Sequence, residues 1–71
     1  MTFGERLRRL RYSNNLSQEK LGKKIGTAQT NISEWELGKN SPDVNQLAAL
    51  AVALETTASY LVEGIGNPTT A

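Results

Sequence analysis

The chain has 71 residues, enough for one small domain and too few for a second core, and it lacks both cysteine and histidine, which excludes disulfides, thiolate and imidazole chemistry and the common zinc-ligand sets. Its net charge of +1 conceals an asymmetry: residues 1–40 hold all eight basic side chains against four acidic ones, a local +4, whereas residues 41–71 hold three acidic side chains and no basic one. That polarity suits either a polyanionic partner for the first half or a solvated mixed-charge face. No apolar run approaches membrane-spanning length and the N-terminus lacks an apolar signal segment, so a soluble, cytoplasmic protein is expected.

The pattern predicts a first helix over residues 2–14. Phe3, Leu7 and Leu10 share one face, Thr2-Phe3-Gly4-Glu5 is a capping-box sequence, and Arg6, Arg8 and Arg9 are expected to project outward. Asn14-Asn15 marks its stop, because Asn tolerates the left-handed conformation that ends helices. Ser17 caps a second helix running to Ile25, with Glu19 in its first turn and Gly26 beyond its end. A third helix runs from Ala28 or Gln29 to Leu37 and closes at Gly38. Asp43 and Gln46 form a second capping-box pattern opening a fourth helix, with Val44, Leu47, Leu50, Ala51 and Leu54 at helical spacing. Thr57 caps a short fifth helix to Val62. The fold class is therefore all-α, five helices in a domain over residues 1–64, with 65–71 as a flexible tail or linker stub. The expected core is Phe3, Leu7, Leu10, Leu16, Leu21, Ile25, Ile32, Trp35, Leu47, Leu50, Leu54 and Leu61.

The chemistry lies between the second and third helices. Leu21 with Ile25, and Ile32 with Trp35, place an apolar pair on each helix. The polar residues between them, Gln29, Thr30 and Asn31, occupy the first turn of the third. An α-helix fits the major groove of duplex DNA, where base edges present donors and acceptors that amides and hydroxyls read. Ser33 and Glu34 stand about one turn further along and reach toward the groove wall or a cytosine amino group.

Leu16-Ser17-Gln18-Glu19, Leu21, Ile25-Gly26, Ile32-Ser33, Trp35-Glu36, Gly38-Lys39, Ser41-Pro42 and the series Leu47, Leu50, Ala51, Leu54 together resemble the phage repressor and Cro type of helix-turn-helix domain. The resemblance covers nearly the whole chain. It implies a lambda-repressor-like fold and sequence-specific binding to double-stranded DNA, as a transcriptional repressor, by a homodimer on a palindromic operator, with no cofactor and no metal. Residue by residue, it implies base contacts from Gln29, Thr30, Asn31 and Glu34. Phosphate contacts fall to Gln18, Ser17, Lys39, Asn40 and Ser41. Arg11 and Glu36 match a structural ion pair, Trp35 a packing position, and Tyr60, Leu61, Val62 and Ile65 a dimer interface.

Three positions depart from the family pattern. Gly22 stands where Ala is usual, Ala28 replaces the usual capping Ser or Thr, so that either Thr27 caps the third helix or the cap is lost, and Glu55 replaces the Gly that normally ends the fourth helix. Two other function classes compete. A protein-interaction or antitoxin-type adaptor would use the acidic end and the fifth helix. An enzyme is disfavoured, because Glu34 and Glu36 at i, i+2 point apart on a helix and no nucleophile–base pair accompanies them.

Overall fold

The computed structural model describes residues 1–66; residues 67–71, most of the expected tail, lie outside the described residues. Five α-helices and no strand are found among the described residues: α1 (Phe3–Ser13), α2 (Gln18–Ile25), α3 (Gln29–Leu37), α4 (Val44–Ala53) and α5 (Ala58–Glu63). Local chemistry sets their ends. In the α1 capping box, Glu5 N–H donates to Thr2 Oγ1 at 3.2 Å and Thr2 N–H donates to Glu5 Oε1 at 2.9 Å. The same reciprocal pair joins Asp43 and Gln46 at the start of α4, at 2.7 and 2.9 Å. Ser17 and Thr57 cap α2 and α5 through their hydroxyls. Gly26 and Gly38 close α2 and α3 at φ 77°, a left-handed backbone that glycine adopts without a Cβ clash.

Two non-glycine residues make the same kind of turn. Asn15 has φ 56° after α1, in keeping with the expected Asn stop, and Glu55 has φ 55° after α4. Glu55 thus takes the left-handed backbone at the α4–α5 corner itself, at the steric cost of a left-handed L-residue.

Leu7, Leu21, Ile32, Leu50, Leu54 and Leu61 are fully buried, with Leu10, Trp35, Ala51 and Ala53 beside them and Phe3, Leu16, Ile25, Leu47 and Tyr60 packed around the edge. Helix α3 packs on α1 and α2, and α4 bridges α2 and α5, so α3 is held from two sides. Two expectations fail here. Val44, placed in the apolar series of α4, is 82% exposed, because the core-facing stripe of that helix begins a turn later at Leu47. Arg6, expected outside, is buried. Its guanidinium donates to the carbonyls of Leu61 (2.9 Å), Val62 (2.8 Å) and Met1, satisfying the last turn of α5 without a carboxylate. Cations suit a helix C-terminus, where unpaired carbonyls carry partial negative charge.

Two glycines mark where backbones approach too closely for a side chain. A Cβ on Gly4 would collide with the carbonyl oxygen of Glu36 and lie 2.9 Å from that of Trp35, which sets the crossing of α1 over α3. A Cβ on Gly22 would lie 2.8 Å from the carbonyl oxygen of Thr27, so the turn of the motif folds directly onto α2. The ~1 kcal/mol that a mid-helix glycine costs relative to Ala is therefore offset by close packing.

Two stability predictions follow from this geometry. Glu55→Gly should raise the unfolding free energy by about 0.5–1 kcal/mol, the relief of left-handed strain less the entropy of the added glycine, seen as a higher urea midpoint at constant m. Gly4→Ala should lower it by about 1–3 kcal/mol, the usual range for overpacking, in the same titration.

Candidate nucleic-acid interface

The exposed first turn of α3 rests on a hydrogen-bonded chain that begins in the protein interior. Glu36, on the buried face of α3, has a side chain only 1% exposed. Arg11 of α1 meets it with two hydrogen bonds, Nε to Oε2 at 2.6 Å and Nη2 to Oε1 at 3.1 Å. The third donor of that guanidinium, Nη1, reaches the carbonyl of Leu16 at 3.0 Å, just ahead of α2. Glu36 Oε1 also accepts from Gln18 Nε2 at 3.1 Å, and Gln18 Oε1 in turn accepts from Gln29 Nε2 at 3.4 Å. One carboxylate thus aligns the N-termini of α2 and α3. The expected Arg11–Glu36 pair is present, and its link to Gln18 and Gln29 was not evident from spacing.

Burial alone would push the Glu36 carboxyl up. The hydrogen bonds from Arg11, Gln18 and Arg8, together with the Arg11 charge, outweigh it and hold the carboxyl below its ordinary pKa. Hydrogen bonding to Glu36 correspondingly holds the Arg11 guanidinium above its ordinary value.

Around this chain, Gln29 and Thr30 are exposed. Asn31 is half-buried, and its Nδ2 donates to Thr27 Oγ1 at 2.7 Å, so part of its amide is turned into the motif. Ala28 stands at the cap of α3 with no side-chain hydrogen bond. Of the two alternatives for this helix start, the side-chain cap is lost, because the Thr27 hydroxyl serves Asn31 instead. Glu34 Oε1 accepts from Asn40 Nδ2 at 2.8 Å, which ties the middle of α3 to the loop after it. That loop also donates a backbone bond, from Lys39 N–H to the carbonyl of Glu34 at 2.9 Å. Lys39, Asn40 and Ser41 are exposed, as is Ser17, whose Oγ is engaged by the Lys20 N–H at 3.0 Å.

At the other end, Val62 and Ile65 are exposed and Tyr60 is half-buried against the core. Leu61, expected both in the core and as a dimer contact, is a core residue and not a surface one: it is 0% exposed, on the face of α5 that packs against α1 and α4. The inward turn of Arg6 had one signal in the sequence, since it stands four residues before Leu10 on the apolar stripe of α1.

The depressed Glu36 pKa fixes the sign of an acid effect. A carboxyl whose folded pKa lies below the unfolded one contributes stability above about pH 4.3, and that contribution is lost as pH falls toward the folded value. Urea titrations across that range should show stability falling with pH in the parent and a flatter acid limb in Glu36→Gln. The same substitution should cost on the order of 3 kcal/mol at pH 7, because it leaves the Arg11 charge buried without its partner.

Comparison with known proteins bears on this geometry. Residues 7–61 match the family described as Helix-turn-helix. The chain is 38% identical over 62 residues to Repressor protein C2 of Salmonella phage P22, covering 87% of this chain and 29% of that protein. It is 36% identical over 64 residues to the HTH-type transcriptional activator BcrR of Enterococcus faecalis, covering 90% of this chain and 31% of that protein. The chain thus spans about a third of the length of these two relatives. The crystal structure of the P22 c2 repressor in complex with a synthetic operator superposes with a TM-score of 0.88 at 36% identity, covering 90% of this chain and 97% of that one. The solution structure of the DNA-binding domain of the same repressor gives 0.85 at 34% identity, covering 96% and 93%. The chain belongs to the helix-turn-helix family, and its five helices are those of the phage repressor type.

Proposed function

We propose that the chain binds double-stranded DNA in a sequence-specific manner and acts as a transcriptional regulator, with the N-terminal turn of α3 in the major groove. The observation that carries this reading is the Glu36–Gln18–Gln29 chain, which holds an exposed amide at the start of α3 in a fixed direction. A glutamine amide offers two N–H donors and one carbonyl acceptor. With one N–H engaged by Gln18, Gln29 retains one donor and one acceptor, the pair that matches N7 and N6 of adenine. Thr30 offers its methyl and hydroxyl to the same groove. Asn31 and Glu34 follow as secondary readers, since each has one polar atom committed within the protein.

Ser17, Gln18 and the exposed loop Lys39–Ser41 take the flanking phosphates, and the +4 half of the chain supplies long-range attraction. The P22 c2 repressor, with 36% identity and the same fold, is solved on a synthetic operator, which supports this orientation. Tyr60, Val62 and Ile65 form the contact of a homodimer on a palindromic site. No helix among the described residues is long and apolar enough to cross a membrane.

Selection of bound duplexes from a random pool should return a palindrome. On the selected site, followed by fluorescence anisotropy, Gln29→Ala should weaken binding by about 1–3 kcal/mol and relax preference at one position of each half-site. Unchanged affinity and preference in both Gln29→Ala and Thr30→Ala would overturn the role given to α3. No salt-dependent binding to any duplex would overturn DNA binding itself.

A further inference from the structure

We infer that Arg8 is a phosphate-binding residue of the interface, placed beside Gln18 by Glu36; the inference rests on the DNA-binding reading above. Two guanidinium groups converge on one carboxylate at the junction of α1, α2 and α3. Arg11 takes most of it, with two hydrogen bonds and a side chain only 7% exposed. Arg8 makes a single long bond, Nε to Glu36 Oε1 at 3.4 Å, and its side chain is 48% exposed. No hydrogen bond engages its terminal amino groups among the described residues. The other carboxylate near it, Glu5, lies three residues earlier on α1, and its Oε1 accepts the Thr2 N–H of the capping box. Arg8 is therefore only partly neutralised, and most of its fork of donors is free.

The direction of that fork is set by what shares the oxygen. Arg8 Nε and Gln18 Nε2 both reach Glu36 Oε1, so the Arg8 stem is anchored next to the start of α2, beside the Gln18 to which a phosphate is assigned above. A planar guanidinium with free terminal amino groups matches the two non-bridging oxygens of a phosphodiester. A duplex seated on Gln18 brings phosphate charge to this junction and supplies an anion for the terminal amino groups that Glu36 does not engage. The neighbouring Arg9 has no such anchor: among the described residues, its one side-chain-related bond is the Ser13 hydroxyl on its backbone carbonyl. It serves as the control.

The test measures affinity for the selected duplex as a function of salt for the parent, Arg8→Gln and Arg9→Gln, with circular dichroism confirming the helix content of each. Loss of one phosphate contact should lower the slope of log K against log salt by about 1 in Arg8→Gln, leave the preference for the selected site over a base-substituted one unchanged, and leave the slope of Arg9→Gln at the parent value. Equal slopes in parent and Arg8→Gln would overturn the inference while leaving DNA binding in place, and equal losses in both variants would overturn it in favour of diffuse charge. A parent with no salt dependence would instead overturn the DNA-binding reading, and the inference with it. Should Arg8→Gln not fold, Arg8→Met keeps the aliphatic stem while removing the charge, and the same slopes decide.

Discussion

A single buried carboxylate, that of Glu36, receives hydrogen bonds from two helices other than its own, and the geometry of the interface depends on it. Taking an ion pair out of water is expensive, and the attraction between the partners offsets that cost only where the remaining polar atoms are also satisfied. Here they are: Arg11 spends its third donor on the Leu16 carbonyl, and Glu36 Oε1 takes Gln18 as well. The pair is better understood as a device for alignment than as a source of net stability. It couples the register of α1 to the N-termini of α2 and α3, the two helix ends that face the proposed partner.

Close backbone packing supports the same junction. Gly4 brings α1 against the end of α3, and Gly22 lets the turn of the motif fold onto α2. Neither contact tolerates a Cβ, so the angles between the three helices are set by backbone atoms rather than by side chains that can change rotamer. The proposed base-reading side chain, Gln29, gains directional accuracy from this, because its supporting amide, Gln18, is held at both ends. The opposite side of the domain is fastened differently. Arg6 closes the C-terminal turn of α5 through carbonyls alone, which holds Leu61 in the core and leaves Val62 and Ile65 outside.

The charge asymmetry of the chain acquires a location from this arrangement. Arg8, Arg11 and the N-terminus of α2 sit together, whereas the acidic residues of the second half, Asp43, Glu55 and Glu63, fall at the ends of α4 and α5. Two of the eight basic side chains nevertheless work inside the fold: Arg6 and Arg11 are buried and hydrogen-bonded. Net charge along the chain therefore overstates what a polyanion meets, and a half-exposed cation such as Arg8 matters more than its count suggests.

The helices and their caps were legible from local chemistry, because a capping box, a C-terminal glycine and an apolar stripe each act within a few residues of themselves. Thr2 with Glu5, Asp43 with Gln46, Gly38 and the Leu47–Leu50–Leu54 series all behave as their spacing indicates. Glu55 and Ala28 show where local rules yield: the corner and the helix start persist without the preferred residue, since packing on both sides fixes the path. What no local pattern contains is the meeting of residues far apart in the chain. Gln18 and Arg11 on one oxygen of Glu36, Arg6 on α5 and Val44 left in solvent depend on how the five helices cross. A side chain of either character can satisfy the helical period. Only the neighbouring helices decide which face is inside and which free donor is left to meet a ligand.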